Sequence, residues 1–233
     1  MNASSGMNEM LIVLSPAKTL DFEKQKFTKR HSQPIFLDDS ATLIDCLRQY
    51  SARKLADLMG MGDDLARQTH ERFAEWSRPF TPANAKQAAL AFRGPAFVGL
   101  DAGTYSAKDF RRAQGSLRIL SGLHGILKPL DLIQPYRLEM ATRLASPRGK
   151  NLYEFWGTRI TEALNADLGK LKQPVLVNLA SQEYFKTVKT RLLDAQVLTL
   201  TFKENRNGEL KAVSAFSKKA RGMMSSYIIQ NNL

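Results

Sequence analysis

The sequence predicts a single domain of the mixed α/β (α+β) class, built on a mixed sheet. Two apolar runs, MLIVLS (residues 10–15) and PVLVNLAS (residues 174–181), have the length and composition of buried strands. Residues 196–216 carry the pair Asn207-Gly208 between two strand-like segments, which predicts a β-hairpin near the C-terminus. Helical segments separate these strands without a regular β-α-β alternation, so we expect parallel and antiparallel pairing together.

The N-terminal half is predicted to be mostly helical after its first strand. The strand leads into the turn SPAKTLDF, and Asp39 or Ser40 is the expected N-cap of the first helix. Thr81 and Pro82 have the residue types of an N-cap and a first helical position. The predicted elements are helices over 38–51, 52–59 and 63–77, a fourth helix beginning at Pro82, and a short strand or extended turn over 94–100. We interpret residues 38–91 as a helical lobe.

The C-terminal half is predicted to alternate between strands and helices. Ser106 and Asp109 have the spacing of a helix N-terminus, and LRILSGL (117–123) is strand-like. Pro129 and Pro135 exclude one long helix, so YRLEM after them is predicted to be extended. The remaining predictions are a helix of about 18 residues closed by Gly169, a short helix after Ser181, and a final helix with Ser217 as its N-cap.

Length and composition indicate a folded protein of the cytoplasm. The chain has 233 residues, of which 43% are apolar, enough for a sizeable core. No apolar run approaches the length that crosses a bilayer, and the N-terminus lacks the features of a secretory signal. Residues 1–9 are expected to be a disordered lead-in to a single domain over 10–233. Because Cys46 is the sole cysteine, no intramolecular disulfide forms, and we expect a cytoplasmic monomer.

The charge points to an anionic partner. Lys and Arg number 34 against 22 Asp and Glu, which gives a formal net charge of +12 and an isoelectric point near 9.9. A charge of this size attracts polyanions such as nucleic acid. An enzyme with anionic substrates is the alternative that charge alone leaves open.

The stretch LADLMGMGDDLA carries the most specific local motif. Gly60, Met61 and Gly62 form a Gly-apolar-Gly core between two helical segments, which resembles a helix-hairpin-helix element. Glycines let a backbone approach a ligand closely, and the unpaired first amides of the following helix bind phosphate. Such contacts ignore base identity, so this reading predicts sequence-independent DNA binding, assisted by Lys54 and Arg67. The alternative is a structural corner, favoured by Asp63 and Asp64, which repel phosphate.

A second set of polar residues lies after predicted strands or at the start of the final helix, and each is a candidate for ligand binding. Ligands commonly bind where the strands of an α/β sheet end. Arg137 and Glu139 share one side of an extended chain, either as an ion pair or facing a cleft. The basic start of the final helix, at Lys218, is unfavourable for the helix dipole, which is a reason to expect an anion there. The cleft candidates are Lys18, Arg137, Glu139, Asn178, Ser181, Lys186, Lys218 and Arg221.

Metal and cofactor chemistry have little support in the sequence. The three histidines (His31, His70 and His124) are scattered, and no pair of them has metal-ligand spacing. We expect no metal and no cofactor. His124, flanked by glycine, is either exposed or structural.

Six stretches together resemble the YaaA family of peroxide-stress proteins, also catalogued as an uncharacterised-protein family. They are SPAKTLDF, AFRGPAFVGLDA, LRILSGLHGILKPLDLIQPYRLEM, LYEFWG, VNLASQEYFK and KKARGMMSSYII. The resemblance covers the chain from Met10 to Asn231. It implies an unusual α/β fold with a basic cleft that gathers the strand-end candidates. It also implies double-stranded DNA binding by a helix-hairpin-helix element at residues 52–72.

The resemblance implies a protein that limits free intracellular iron and so protects DNA from hydrogen peroxide. The main hypothesis is therefore a DNA-binding protein of the peroxide-stress response. The alternative is an enzyme that acts on a small anionic or nucleotide-like substrate in the basic cleft. A direct iron binder is a third reading, for which the sequence supplies few ligands.

Overall fold

A computed structural model describes residues 10–206, 208–211 and 213–233. The predicted lead-in at residues 1–9 and the turn residue Asn207 lie outside the described residues. The strands are β1 (Met10–Leu14), β2 (Thr19–Leu20), β3 (Lys86–Gln87), β4 (Phe92–Arg93), β5 (Leu117–Ser121), β6 (Gly125–Leu127), β7 (Leu132–Ile133), β8 (Val175–Leu179), β9 (Gln196–Thr199), β10 (Glu204–Arg206) and β11 (Glu209–Lys211).

The α-helices alternate irregularly with these strands, and the 3₁₀ helices Ala102–Thr104 and Thr190–Leu192 add single turns. The α-helices are α1 (Leu37–Arg48), α2 (Ala52–Met59), α3 (Asp63–Glu75), α4 (Ala88–Ala91), α5 (Pro95–Leu100), α6 (Ala107–Ser116), α7 (Leu152–Trp156), α8 (Arg159–Leu168), α9 (Gln182–Phe185) and α10 (Ser214–Asn231).

The predicted mixed sheet is confirmed, with the strand order β6-β5-β1-β8-β9. β1 lies at its centre, where Ile12 pairs with Leu117 of β5 and Val177 of β8, both in parallel. β9 extends the sheet in parallel, and β6 closes the other edge antiparallel to β5. Residues 11–14 of β1 are at most 2% exposed, because parallel strands are covered on both faces. This burial is the physical reason for the apolar runs in the sequence.

The helices predicted over 38–51, 52–59 and 63–77 are confirmed as α1, α2 and α3, with small shifts at their ends. α1 begins at Leu37 after Phe36, so neither Asp39 nor Ser40 is its N-cap. Ser40 instead donates to the Phe36 carbonyl from inside the helix, and it is completely buried. At its other end α1 supplies Arg48, whose guanidinium donates to the last carbonyls of α3.

Two local predictions between α3 and α6 are wrong or only partly right. After Pro82 the chain first forms a turn and the strand β3, so the helix is confined to α4. The segment predicted to be extended over 94–100 is the helix α5, with Pro95 at its first turn. α5 is helical because it packs against α10, where Gly99 and Gly222 allow the two backbones to approach closely.

The C-terminal half follows the prediction with several changes of boundary. Ser106 and Asp109 form the predicted capping box of α6. The predicted helix of about 18 residues is two helices, α7 and α8, interrupted at Gly157, whose φ of 50° ends α7. The hairpin comprises only β10 and β11, because β9 joins the central sheet. α10 begins at Ser214, so Ser217 is not its N-cap.

One hydrophobic core covers both faces of the sheet and unites the described chain into a single domain. Trp156 and Phe155 are completely buried on one side, and helices α5, α6 and α10 supply apolar residues on another. No helix within residues 10–206, 208–211 and 213–233 is both long and apolar enough to pass through a bilayer.

Candidate functional site

The carboxyl ends of the two central parallel strands meet at one edge of the sheet. Ser15 follows β1 and Ser181 follows β8, and the Ser15 Oγ accepts a hydrogen bond of 2.8 Å from the Ser181 amide. The Ser15 hydroxyl also donates to the Ser181 hydroxyl, at 3.3 Å. Adjacent parallel strands that end together explain this contact between residues 166 positions apart. Ser15 is not among the residues predicted for the site, although it follows a buried strand just as Ser181 does.

Lys18, Glu139 and Arg137 form a chain of charges beside this edge. The Lys18 Nζ lies 2.7 Å from the Glu139 Oε2. The other carboxylate oxygen of Glu139 lies 3.2 Å from the Arg137 guanidinium. One carboxylate thus serves two cations. The Lys18 side chain is 62% exposed, whereas that of Arg137 is only 17% exposed. The ion pair predicted for Arg137 and Glu139 is present, and Lys18 joins it.

The side chain of Asn178 forms hydrogen bonds within the sheet and does not face an open cleft. It is buried in β8, where its Nδ2 donates to the Thr199 hydroxyl at 3.3 Å. Its Oδ1 accepts from the Ala180 amide at 3.0 Å, which shapes the turn that leads to Ser181. Both groups of the amide are therefore committed to holding β9 and this turn.

Lys186 lies beyond this turn, with its Nζ 4.8 Å from the centre of the Tyr153 ring. The Glu183 Oε1 accepts from the Ala141 amide at 3.1 Å. Lys186 and Glu183, which are three residues apart, therefore each contact a different partner. The Tyr153 hydroxyl donates to the Glu183 carbonyl, which connects α7 and α9 below the Glu139 segment.

Lys218 and Arg221 lie on α10. Lys218 is exposed. It lies in the second turn of the helix, because α10 begins four residues earlier than a cap at Ser217 would place it. The dipole argument for an anion at Lys218 is therefore weakened. Arg221 is half-buried, and burial lowers the pKa of its guanidinium. Its Nε has no hydrogen-bond partner among the described residues.

The turn between α2 and α3 has the geometry of a glycine-dependent corner. Gly60 adopts the left-handed conformation, with φ of 59° and ψ of 50°, which favours glycine. The amides of Gly60 and Met61 both bond to the Ala56 carbonyl and so close the end of α2. Gly62 is extended, with φ of −69°, and a Cβ at either glycine would meet no atom within 4 Å. The space over the turn is therefore open.

The two helices pack together below the turn. Leu55 and Ala66 are buried and Leu58 is partly buried against the core, as predicted for the helix-hairpin-helix reading. The Thr69 hydroxyl donates to the Met61 sulfur at 3.7 Å and holds the middle residue of the turn inward. The corner is thus fixed from within and open from outside.

The first amides of α3 face outward without a side-chain cap. Gly62 is the N-cap and provides no capping atom, so the first amides of α3 lack helical partners. Asp63 and Asp64 are exposed beside them, and Arg67 pairs with Asp64. Lys54, on α2, is exposed. Backbone donors, two carboxylates and two cations therefore share this surface.

The other end of α3 borders a groove of about 870 Å³. Arg72 and Trp76 form part of its wall, opposite the segment that follows Lys18. The other charged residues of the lining are Lys24, Lys29 and Lys86, with Glu23 and Glu75 of opposite sign. Pro135, two residues before Arg137, also lines the groove, which places the groove next to the Glu139 charge chain. Burial and then the charge of Arg137 lower the pKa of Arg72. The sequence signals Arg72 only as one more basic residue of α3.

A family model described as peroxide stress protein YaaA matches residues 10–233. The chain belongs to the YaaA family. A UPF0246 protein of Cellvibrio japonicus is 54% identical over 224 residues, covering 96% of this chain and 87% of that protein. UPF0246 proteins of Burkholderia mallei and Burkholderia pseudomallei are 53% identical over 226 residues, with the same coverage. Membership of the YaaA family supports a role in peroxide stress.

The structure brings some of the predicted strand-end residues together. Glu139 pairs with both Lys18 and Arg137, and Ser181 contacts Ser15. Asn178 and Lys186 lie near these strand ends with partners of their own. No described contact joins Lys218 or Arg221 to the charge chain within residues 10–206, 208–211 and 213–233.

His124 does not face solvent. It is completely buried, the Ser40 hydroxyl lies 2.9 Å from its Nδ1, and burial lowers its pKa to about 3. Phe80 and Tyr136 pack edge-on against the ring. The imidazole is therefore a neutral core residue.

Cys46 is half-buried, and burial raises the pKa of its thiol. In the part of the chain that the structure describes, no three His, Cys, Asp or Glu residues form a group that could hold a metal ion.

Proposed function

We propose that this protein binds double-stranded DNA without sequence preference, as part of a cytoplasmic response to hydrogen peroxide. The observation that carries the proposal is the open turn at Gly60, Met61 and Gly62, with uncapped amides at the start of α3. A phosphate oxygen placed over Gly62 meets backbone donors at the positive end of a helix of 13 residues. Phosphate contacts of this kind position DNA without reading its bases.

The overall charge favours the same partner. A net charge of +12 attracts a polyanion over distances of a Debye length, independently of any one contact. Lys54 and Arg67 add local cations on the two helices that flank the turn. Asp63 and Asp64 act in the opposite direction, so we expect moderate affinity with a strong dependence on salt.

A salt series of duplex binding tests the proposal. The main variant is Gly62→Val, because φ at Gly62 is ordinary and the added side chain occupies only the open space over the turn. The double variant Gly60→Val/Gly62→Val also removes the left-handed residue and requires a circular dichroism check of folding. Arg111→Ala, an exposed residue of α6, is a charge control for the variant Arg67→Ala.

We expect the wild-type affinity to fall steeply as salt rises, and the folded Gly62→Val protein to bind at least about tenfold more weakly. Arg67→Ala should reduce the salt slope by about one contact, while Arg111→Ala should leave the slope unchanged. Equal binding by wild type and Gly62→Val would make the turn a structural corner and would refute its role in DNA binding. No duplex binding by the wild-type protein would refute the proposal itself.

We further propose that DNA binding contributes to the family role of limiting free iron and protecting DNA. A strain that carries only the Gly62→Val form should show more peroxide-induced DNA breaks than a strain with the wild-type chain. Equal numbers of breaks at equal protein levels would show that protection from peroxide does not depend on the glycine turn.

An enzyme acting on a small anionic or nucleotide-like substrate is the second candidate. It is favoured by Lys18, Glu139 and Arg137, which join two cations and one carboxylate beside the strand ends. The cations suit an anionic group of the substrate, and Glu139 is placed to accept a proton. Incubation with a mixture of nucleotides, followed by mass spectrometry, should reveal a product that Glu139→Gln abolishes. Identical product profiles for the two proteins would count against this candidate.

A further inference from the structure

We propose that Arg72 and Arg137 together bind the phosphate group of a nucleotide-sized phosphate monoester, at the end of the 870 Å³ groove next to Pro135. This inference rests on the second candidate function, and it names the ligand class and adds Arg72 to the site. Arg72 lies on α3, the helix that begins at the glycine turn, and Arg137 belongs to the charge chain of Lys18, Glu139 and Arg137. The proposed site therefore combines residues from both regions.

Both guanidinium groups keep donors without a partner. The Arg72 side chain has no hydrogen bond or ion pair to any described residue, although it is half-buried and lines the groove. The Nε of Arg137 is buried and also lacks a hydrogen-bond partner among the described residues. Only one nitrogen of Arg137 is engaged by Glu139, at 3.2 Å. Buried donors left without acceptors are costly, and an incoming anion satisfies them.

The local charge is unbalanced in favour of an anion. Glu139 is shared between Lys18 and Arg137, so one carboxylate offsets only part of the charge of the three cations gathered with Arg72. Arg72 and Pro135 both line the groove, and Arg137 follows Pro135 by two residues, so the two arginines belong to the same end of the groove. In agreement with this placement, burial and then the charge of Arg137 lower the pKa of Arg72. Two neighbouring guanidinium groups repel each other, and a dianion between them removes the repulsion.

The amide side chains of the groove point to recognition by charge rather than by base edges. Gln25 and Gln87 bond to each other and to the backbone of residues 28 and 30. Gln134 bonds to both backbone groups of Ser77 through its own oxygen and nitrogen. Asn84 is held in the turn after Thr81. Since these amides are committed to the fold, the donors left for a ligand among the described residues are the cations and the buried indole Nε1 of Trp76, which has no partner there.

The size and composition of the groove narrow the ligand. A volume of about 870 Å³ lies in the range of small-molecule sites. Glu23 and Glu75 line the groove as well and disfavour a second anionic group, so we expect the phosphate to be the single anionic group of the ligand. A planar guanidinium binds phosphate in a bidentate manner, and two of them select the dianion. The source is either a free mononucleotide or the phosphorylated end of a DNA strand.

Calorimetric titration with a 5′-mononucleotide, its nucleoside and inorganic phosphate tests the site. The variants are Arg72→Ala and Arg137→Ala, and Arg111→Ala on α6 is the control for loss of one positive charge. Short single strands with a 5′-phosphate or a 5′-hydroxyl distinguish the two sources. Duplex binding by the same proteins is measured in parallel.

We expect the mononucleotide to bind, and each arginine variant to weaken that binding by at least about tenfold while Arg111→Ala does not. Binding should also strengthen as the pH rises from 5 to 7, because the second pKa of a phosphate monoester is about 6. Tighter binding of the 5′-phosphorylated strand than of the mononucleotide would support the site and identify the DNA end as its source.

No binding of the mononucleotide, of inorganic phosphate or of the phosphorylated strand would overturn the inference. Equal losses in Arg72→Ala and Arg111→Ala would overturn it too, since only net charge would then matter. In both cases intact duplex binding leaves the proposed DNA function standing. Loss of duplex binding in Gly62→Val, with nucleotide binding retained, would show that the nucleotide site functions independently of the glycine turn.

Discussion

Gly99 of α5 and Gly222 of α10 lie where the two helices cross, each against the backbone of the opposite helix. A Cβ at Gly222 would stand 1.7 Å from the Ala96 carbonyl oxygen, and a Cβ at Gly99 would stand 2.1 Å from the Lys219 carbonyl oxygen. Neither position has room for a side chain without separation of the helices. The crossing therefore depends on a glycine from each helix.

Gly222→Ala is expected to destabilise the protein by about 1–3 kcal/mol, the usual cost of overpacking. The sign of this change in the free energy of unfolding is informative, because a glycine-to-alanine change inside a helix normally stabilises a protein by about 0.5–1 kcal/mol. Chemical denaturation measures the difference. Gly115→Ala, at an exposed position in α6, is the matched control and should be neutral or stabilising. A more stable Gly222→Ala protein would show that the two helices separate at no cost.

Two ion pairs of the molecule, Arg118–Asp167 and Lys18–Glu139, should differ in their effect on stability. Arg118 is 3% exposed and pairs with Asp167 at 2.7 Å, and it also donates to the Gln114 and Leu117 carbonyls. Arg118→Ala removes these donors and leaves Asp167 paired with the exposed Lys170, at 2.8 Å. We expect a loss of about 1–3 kcal/mol in the free energy of unfolding. Lys18 is 62% exposed, and Lys18→Ala should cost no more than about 1 kcal/mol. A large loss for Lys18→Ala would mark the charge chain as structural rather than functional.

Neutralising the acids at the start of α3 should strengthen DNA binding. Asp64→Asn removes one repulsive charge beside the open amides and releases Arg67 from its ion pair. We expect several-fold tighter duplex binding at low salt, and a loss of helix stability of about 0.3–1 kcal/mol. Asp57→Asn, an exposed acid on α2, controls for net charge. Unchanged affinity for Asp64→Asn would mean that DNA does not approach this end of α3.

The stability of the protein should depend on pH through two buried groups with opposite signs. Burial lowers the pKa of His124 from 6.5 to about 3, so between these values the unfolded chain binds a proton that the folded chain does not. The His124 contribution is therefore complete above pH 6.5 and is lost as the pH falls. Burial raises the pKa of Asp131 from 3.8 to about 6, so its contribution is complete below 3.8 and is lost as the pH rises.

Between about pH 4 and 6 the two contributions oppose each other, and we expect a nearly flat wild-type profile. Asp131→Asn should expose the His124 slope, so that stability falls by about 1.4 kcal/mol for each unit of acidification. Denaturation midpoints at half-unit steps of pH measure this slope. A profile that stays flat in Asp131→Asn would contradict the assignment of His124 as a buried neutral ring.

The strands and the glycine corner were predictable because their signals are local. β1 and β8 are apolar runs, and Gly60 and Gly62 indicate a turn wherever they occur between helices. α5 was not predictable in this way, since PAFVGL contains residues common in strands and becomes helical only against α10, more than a hundred residues later. Arg72 shows the same limit in the candidate site. The sequence places it on α3, but its proximity to Arg137 arises from the packing of the helical segments on the sheet.

Arg48 also gives α3 a mechanical property. Its guanidinium holds the carbonyls of Phe73 and Trp76, at 2.9 and 2.6 Å, so the C-terminal end of α3 is clamped by hydrogen bonds, whereas its N-terminal end begins at the glycine turn and is held by packing against α2. A helix of 13 residues is about 20 Å long. A tilt of about 10° around the clamp therefore displaces the turn by roughly 3.5 Å, while Arg72, close to the pivot, moves far less. A rotation of α3 about the Arg48 clamp would therefore move the glycine turn several ångströms and leave the wall of the groove nearly in place.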